Sequence, residues 1–96
     1  MSANKLNKEI ITWCNLNSHF VVRINNIPGT KHRAGTVTKG VPDIMGCTNK
    51  GRALAIETKT TDKQSIHQKL FEENFKRQGG IYILAKSLDD VIKGLK

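Results

Sequence analysis

From Arg52 to Lys59 the chain reads Arg-Ala-Leu-Ala-Ile-Glu-Thr-Lys, and this alternation narrows the folds open to it. A two-residue period puts Ala53, Ala55, Glu57 and Lys59 on one face of a strand, and Leu54, Ile56 and Thr58 on the other. Leu54 and Ile56 call for an apolar layer beneath them. The opposite face sets a carboxylate and an ammonium beside small alanines, which leaves room for a ligand.

The surrounding charge sharpens this pattern. Between Ile10 and Thr61 the only carboxylates are Asp43 and Glu57, set among seven Lys and Arg residues. Asp43 lies in Gly40-Val41-Pro42-Asp43-Ile44, just after a Pro turn and fourteen residues before Glu57. Hard divalent cations take oxygen ligands, and Mg2+ keeps several waters beside one or two carboxylates. Asp43 and Glu57 on neighbouring strands would supply two such oxygens, and the main-chain carbonyl of Thr58 a third. Lys59 would point to the same face as Glu57, ~6.5–7 Å further along the strand. An ammonium there can orient and help deprotonate an attacking water.

The 96 residues fit one domain spanning 1–96, with no room for a second core. Sixteen Lys and Arg against eight Asp and Glu give a net charge of +8, a balance that favours a polyanionic partner. Cys14 and Cys47 lie thirty-three residues apart without clustered His, so a zinc site is not expected and two reduced thiols are. No apolar run approaches the ~18 residues of a membrane span, and the N-terminus lacks an apolar signal core. We therefore expect a cytoplasmic protein, including one of phage origin acting in a host cell, with no membrane partner and no organic cofactor.

Periodicity along the chain gives the order α-β-β-β-α-β-α. Leu6, Ile10, Trp13 and Cys14 form one apolar stripe of a helix over residues 4–17. Phe20 to Ile24 reads as a strand, as do Asp43 to Thr48 and Arg52 to Thr58, the last two joined by a turn at Asn49-Lys50-Gly51. The stretch from Asn25 to Gly40 lacks periodicity and carries Lys31, His32, Arg33 and Lys39, which suits a nucleic-acid contact loop. A helix over 65–78 opens with the capping box Ser65-Ile66-His67-Gln68, buries Ile66, Leu70, Phe71 and Phe75, and stops at Gly79-Gly80. Ile81 to Ala85 reads as a strand covered on both faces. Ser87 opens a last helix with Leu88, Val91, Ile92 and Leu95 inside.

Five of these features stand in a fixed order: Val22-Arg23-Ile24-Asn25, Gly40-Val41-Pro42-Asp43-Ile44, Ile56-Glu57-Thr58-Lys59, Gln68, and Gly79-Gly80 before an apolar strand. In this the chain resembles the PD-(D/E)xK nucleases, and most of all their VRR-NUC branch, with archaeal-type Holliday-junction resolvases as near relatives. The resemblance implies an α/β restriction-endonuclease-like sandwich, a central mixed sheet flanked by helices. It implies metal binding by Asp43 and Glu57 and a catalytic role for Lys59. It also implies an acid on the first helix facing the metal, for which Glu9 is the one candidate. A surface ion pair of Glu9 with Lys5 is the competing reading. Gln68 matches a glutamine close to the family's site, while its capping-box position offers a purely structural role.

The function expected is Mg2+-dependent endonucleolytic hydrolysis of DNA, with Mn2+ able to substitute. Arg23, Lys31, Arg33, Lys39, Lys50, Arg52 and Lys63 are the expected backbone contacts, although Arg23 could instead pair with a carboxylate. A homodimer would set two sites against branched DNA such as a four-way junction or a flap. The alternative is a non-catalytic nucleic-acid-binding protein on a nuclease-like fold.

Overall fold

The computed structural model describes residues 2–24, 39–61 and 63–96. They form α1 (Ala3–Leu16), β1 (Phe20–Arg23), β2 (Ile44–Cys47), β3 (Ala53–Thr58), α2 (Ile66–Arg77), β4 (Ile81–Ala85) and α3 (Leu88–Gly94). This is the order that the periodicity predicts, and the bounded elements agree to within one residue at each end. Of the contact loop expected from Asn25 to Gly40, only Lys39 and Gly40 fall inside the described residues, so Lys31, His32 and Arg33 lie outside them.

The strands make one mixed sheet in the order β1-β2-β3-β4. β1–β2 and β2–β3 run antiparallel, while β3–β4 are parallel, joined by the crossover helix α2. Alternation decides the layers. Val21, Ile44, Leu54, Ile56, Ile83 and Ala85 point to one face, where Leu6, Ile10 and Cys14 of α1 and Val91 of α3 close the core. On the other face Phe71 of α2 meets Tyr82 of β4, with ring centroids 6.3 Å apart. The Cys14 thiol is buried and free, and burial pushes its pKa up to about 11, so it behaves as a small core residue.

α2 departs from the expected packing. Phe71 and Phe75 stack on one another at 5.6 Å, and Phe75 covers Gly80. Ile66 and Leu70, expected inside, are instead 78% and 55% exposed. A helix that packs on a single edge strand has a narrow footprint, so only part of its apolar stripe finds cover. For the same reason Leu84 of β4 is more open than a strand covered on both faces would make it.

Gly40 ties the Pro turn to α2. Its φ is +84°, and a Cβ built there would run into the His67 carbonyl oxygen. Only glycine suits both demands. We expect Gly40→Ala to destabilise the fold by about 1–3 kcal/mol, with Tm falling about 4–8 °C per kcal/mol. Gly51 has a similar φ of +79°, yet a Cβ added to it would meet nothing within 4 Å, so Gly51→Ala isolates the cost of φ alone. Equal Tm losses in the two variants would show that Gly40 does not hold the turn against α2.

Candidate active site

Asp43 and Glu57 arrive at the same end of the sheet by strand pairing. Ile44 pairs with Ile56, and Arg23 with Ile44, so the end of β1, the start of β2 and the end of β3 lie side by side. The Asp43 carbonyl accepts from Ile24 N–H at 2.7 Å, which fixes the backbone before β2. Its carboxylate Oδ2 accepts from Thr58 N–H at 3.1 Å and from the Thr58 hydroxyl at 2.8 Å. Pro42 is fully buried beside it. The acid is therefore held from two sides, and its rotamer is not free.

Glu57 is only 3% exposed, and its Oε1 is buried with no hydrogen-bond partner among the described residues. Burial first, then a hydrogen bond to Asp43 and the charge of Asp43, push its pKa up to about 8, while the Lys59 ammonium pulls it down. Two carboxyls at such close range disfavour ionising together. The structure thus brings Asp43, Glu57 and Lys59 into one electrostatic group. The charges of Glu57 and Asp43 also reach the Tyr82 hydroxyl, which burial pushes up to about 12. Tyr82 accepts from Gln64 Nε2 at 3.2 Å, and Gln64 donates equally to Glu72 at 3.1 Å.

This donor set fits a divalent cation. A buried carboxylate oxygen without a partner, beside a second carboxylate, is an arrangement that a hard ion would relieve. Thr58 strengthens the fit. A strand residue turns its N–H and C=O toward the same neighbour, so the Thr58 carbonyl faces the Asp43 side that its N–H already serves.

Glu9 does not join the pair. It is exposed on the outer side of α1, in a shallow groove with Thr12, Trp13, Leu16 and Leu88. Among the described residues no third His, Cys, Asp or Glu completes a metal-holding cluster, and Lys5 makes no ion pair with Glu9. Helical geometry gives the reason: Leu6, Asn7 and Ile10 take the inward face of α1 and turn Glu9 outward. The inward polar residue is Asn7, 2% exposed, with Oδ1 unpartnered among the described residues. It lies one turn beyond Asn4, which accepts a hydrogen bond from Arg23 Nη2 at the end of β1. Its signal in the sequence is a polar residue inside the stripe Leu6–Ile10–Cys14.

Gln68 fills its capping role. Its N–H donates to Ser65 Oγ at 3.2 Å and its Oε1 accepts from Ser65 N–H at 2.8 Å. The same turn of α2 abuts Gly40, so Gln68 stands close to the segment that delivers Asp43.

The expected DNA contacts separate into two groups. Arg23 and Lys39 are exposed, and each flanks the strand ends that carry the two acids; Lys63, also exposed, follows β3. Lys50 and Arg52 belong to the turn before β3, at the opposite end of a strand ~20 Å long.

Comparison with solved structures gives one informative likeness. A structure described as "VRR_NUC domain" superposes with a TM-score of 0.69 at 20% sequence identity, covering 94% of this chain and 89% of that one. The chain has the fold of a VRR-NUC-type domain, and the restriction-endonuclease-like α/β architecture expected from its motifs agrees with that. No model of a known protein family matches the sequence, and no curated protein does.

Proposed function

We propose that the protein is a metal-dependent endodeoxyribonuclease of the VRR-NUC type. The observation that carries the reading is the grouping of Asp43, Glu57 and Lys59, with a buried Glu57 oxygen that no group among the described residues satisfies. The shared fold with a VRR_NUC domain points the same way.

Asp43, Glu57 and the Thr58 carbonyl would hold Mg2+ or Mn2+. A bound divalent ion supplies Lewis acidity that polarises the phosphate and acidifies water. Thr58 keeps the Asp43 carboxylate fixed while the site fills. Lys59 positions a water for in-line attack and offsets the charge that gathers on phosphate oxygens. Gly40 and Pro42 hold the acid in place without adding charge. Glu57 would hold an ion only as a carboxylate, so metal affinity should rise with pH. Arg23, Lys39 and Lys63 guide the DNA backbone to the acids. Selection then acts on DNA shape through phosphate contacts, which suits a junction or a flap. The exposed Phe20 and Val22 of the edge strand support a second copy, and sedimentation at rising concentration tests for a homodimer.

The test uses a labelled four-way junction, a flap and a plain duplex, each with Mg2+ or EDTA. We expect nicking only with the metal, and affinity falling by ~0.9 log unit per phosphate contact for each tenfold rise in salt. Tight binding without nicking in Mg2+ or Mn2+ would mean a non-catalytic nucleic-acid-binding protein.

A further inference from the structure

At the end of the sheet away from the acids, a cavity of about 210 Å3 lies between the β2–β3 turn, the start of β4 and the end of α3. His19, Thr48, Lys50 and Arg52 line it, with Ile81 and Leu95 as its apolar floor. Among the described residues no Asp or Glu side chain lines it. We infer that this cavity is a phosphate-binding pocket, separate from the catalytic acids.

Three built features support the inference. His19 is 8% exposed, stacked on Trp13 at 6.0 Å, and its Nδ1 accepts from Asn49 N–H at 3.0 Å. An accepting Nδ1 puts the ring proton on Nε2, and that donor has no partner among the described residues. Arg52 donates its Nε–H to the Gly79 carbonyl at 2.8 Å, which pins one edge of the guanidinium. Its two Nη groups stay unpaired among the described residues, and a pinned planar fork suits phosphate oxygens. Lys50 forms no ion pair among the described residues. The pocket thus offers fixed donors and positive charge around a space large enough for a small oxyanion.

Thr48 gives the pocket its shape. Its hydroxyl accepts from Lys50 N–H at 3.3 Å and Arg52 N–H at 3.2 Å, while its N–H donates to the Arg52 carbonyl at 2.8 Å. These bonds close the turn that carries both cations. His19 binds that turn to the α1–β1 link, so these two segments are held together at the pocket.

The phosphate could be one of a polynucleotide backbone or free in solution. The first source rests on the nuclease reading; the pocket itself does not. Seated there, a backbone phosphate would lie ~20 Å from the acids, about six base-pair rises along a duplex. The catalytic end and this end would then grip one substrate at two places.

The test follows the His19 imidazole signals by nitrogen-15 NMR in EDTA. Inorganic phosphate should shift Nε2 saturably, beyond chloride at equal ionic strength. Arg52→Gln, and separately the exposed Lys50→Gln, should weaken phosphate about tenfold each. A duplex that shifts the same signal, with a salt slope lowered by ~0.9 per lost contact in these variants, identifies the backbone as the source. A response to phosphate but not to duplex identifies free phosphate. No shift beyond the chloride control, or unchanged affinity in both variants, overturns the pocket. Mn2+ binding measured in the same variants should stay at the wild-type level. A protein that never cleaves but keeps the His19 response loses the nuclease reading and retains the pocket.

Discussion

Lys59→Ala is expected to lower DNA cleavage by roughly 10²–10⁴-fold while leaving Mn2+ binding within a few-fold of wild type. The reason lies in the group on which the Lys59 charge acts. Its ammonium acts on Glu57 from the next position on the same face, where it can orient a water, and it donates no oxygen to an ion. Asp43→Asn and Glu57→Gln should instead lose the metal itself, and cleavage with it. Asn at position 43 can still accept from the Thr58 N–H and hydroxyl, so the fold should survive that change. DNA affinity in EDTA should hold or improve in Asp43→Asn, which removes a carboxylate from a basic surface, and should hold in Glu57→Gln, because buried Glu57 keeps its proton below about pH 8. Calorimetric Mn2+ titration, duplex binding in EDTA and a nicking assay separate the three effects. Normal Mn2+ affinity in Glu57→Gln would falsify the metal role of that residue. Lost DNA binding in Asp43→Asn would make Asp43 a structural acid.

The metal-free protein should be more stable in mild acid than at pH 8. Glu57 has an ordinary carboxyl pKa of 4.5 and about 8 in the folded chain, raised by burial and by Asp43. A carboxyl whose folded pKa is raised favours the folded state while protonated. That contribution is complete below about pH 4.5 and is lost as pH climbs through about 8. Each unit across the window costs about 1.4 kcal/mol, so the total loss is a few kcal/mol. Urea midpoints at pH 5 and pH 8 in EDTA should show it. Glu57→Gln should flatten the dependence and stabilise the metal-free protein at pH 8. Mn2+ at pH 8 should restore wild type and leave the Gln variant unchanged, because an ion replaces the proton. A wild-type slope retained in Glu57→Gln would place the titrating group elsewhere.

Much of the architecture is visible in the primary structure because short-range rules decide it. Leu54 and Ile56 alternate with Ala55 and Glu57, and the fold places the first pair in the core and Glu57 on the opposite face. Ser65 and Gln68 form the capping box that their spacing promises. Asp43 and Glu57 meet because a hairpin at Asn49-Lys50-Gly51 sets Ile44 opposite Ile56. Other features escape such rules. Glu9 is the only acid on the first helix, but the rotation of that helix on the sheet turns Asn7 inward in its place. Ile66 and Leu70 fit an apolar stripe, yet one edge strand cannot cover all of it. Lys50 and Arg52 share the sign of Arg23 and Lys39, and charge alone does not show that a whole strand separates them.

Local sequence determined which segments become helix or strand, where they stop, and which two acids and one lysine are the candidates for the site. Those outcomes follow from backbone sterics, capping and two- or 3.6-residue periods, all of which act over a few residues. Tertiary structure alone decided that Glu57 is dehydrated, that Thr58 clamps Asp43, and that a second basic pocket forms at the far end around His19. Each of these depends on groups from distant parts of the chain shutting out water together, and no local pattern records that.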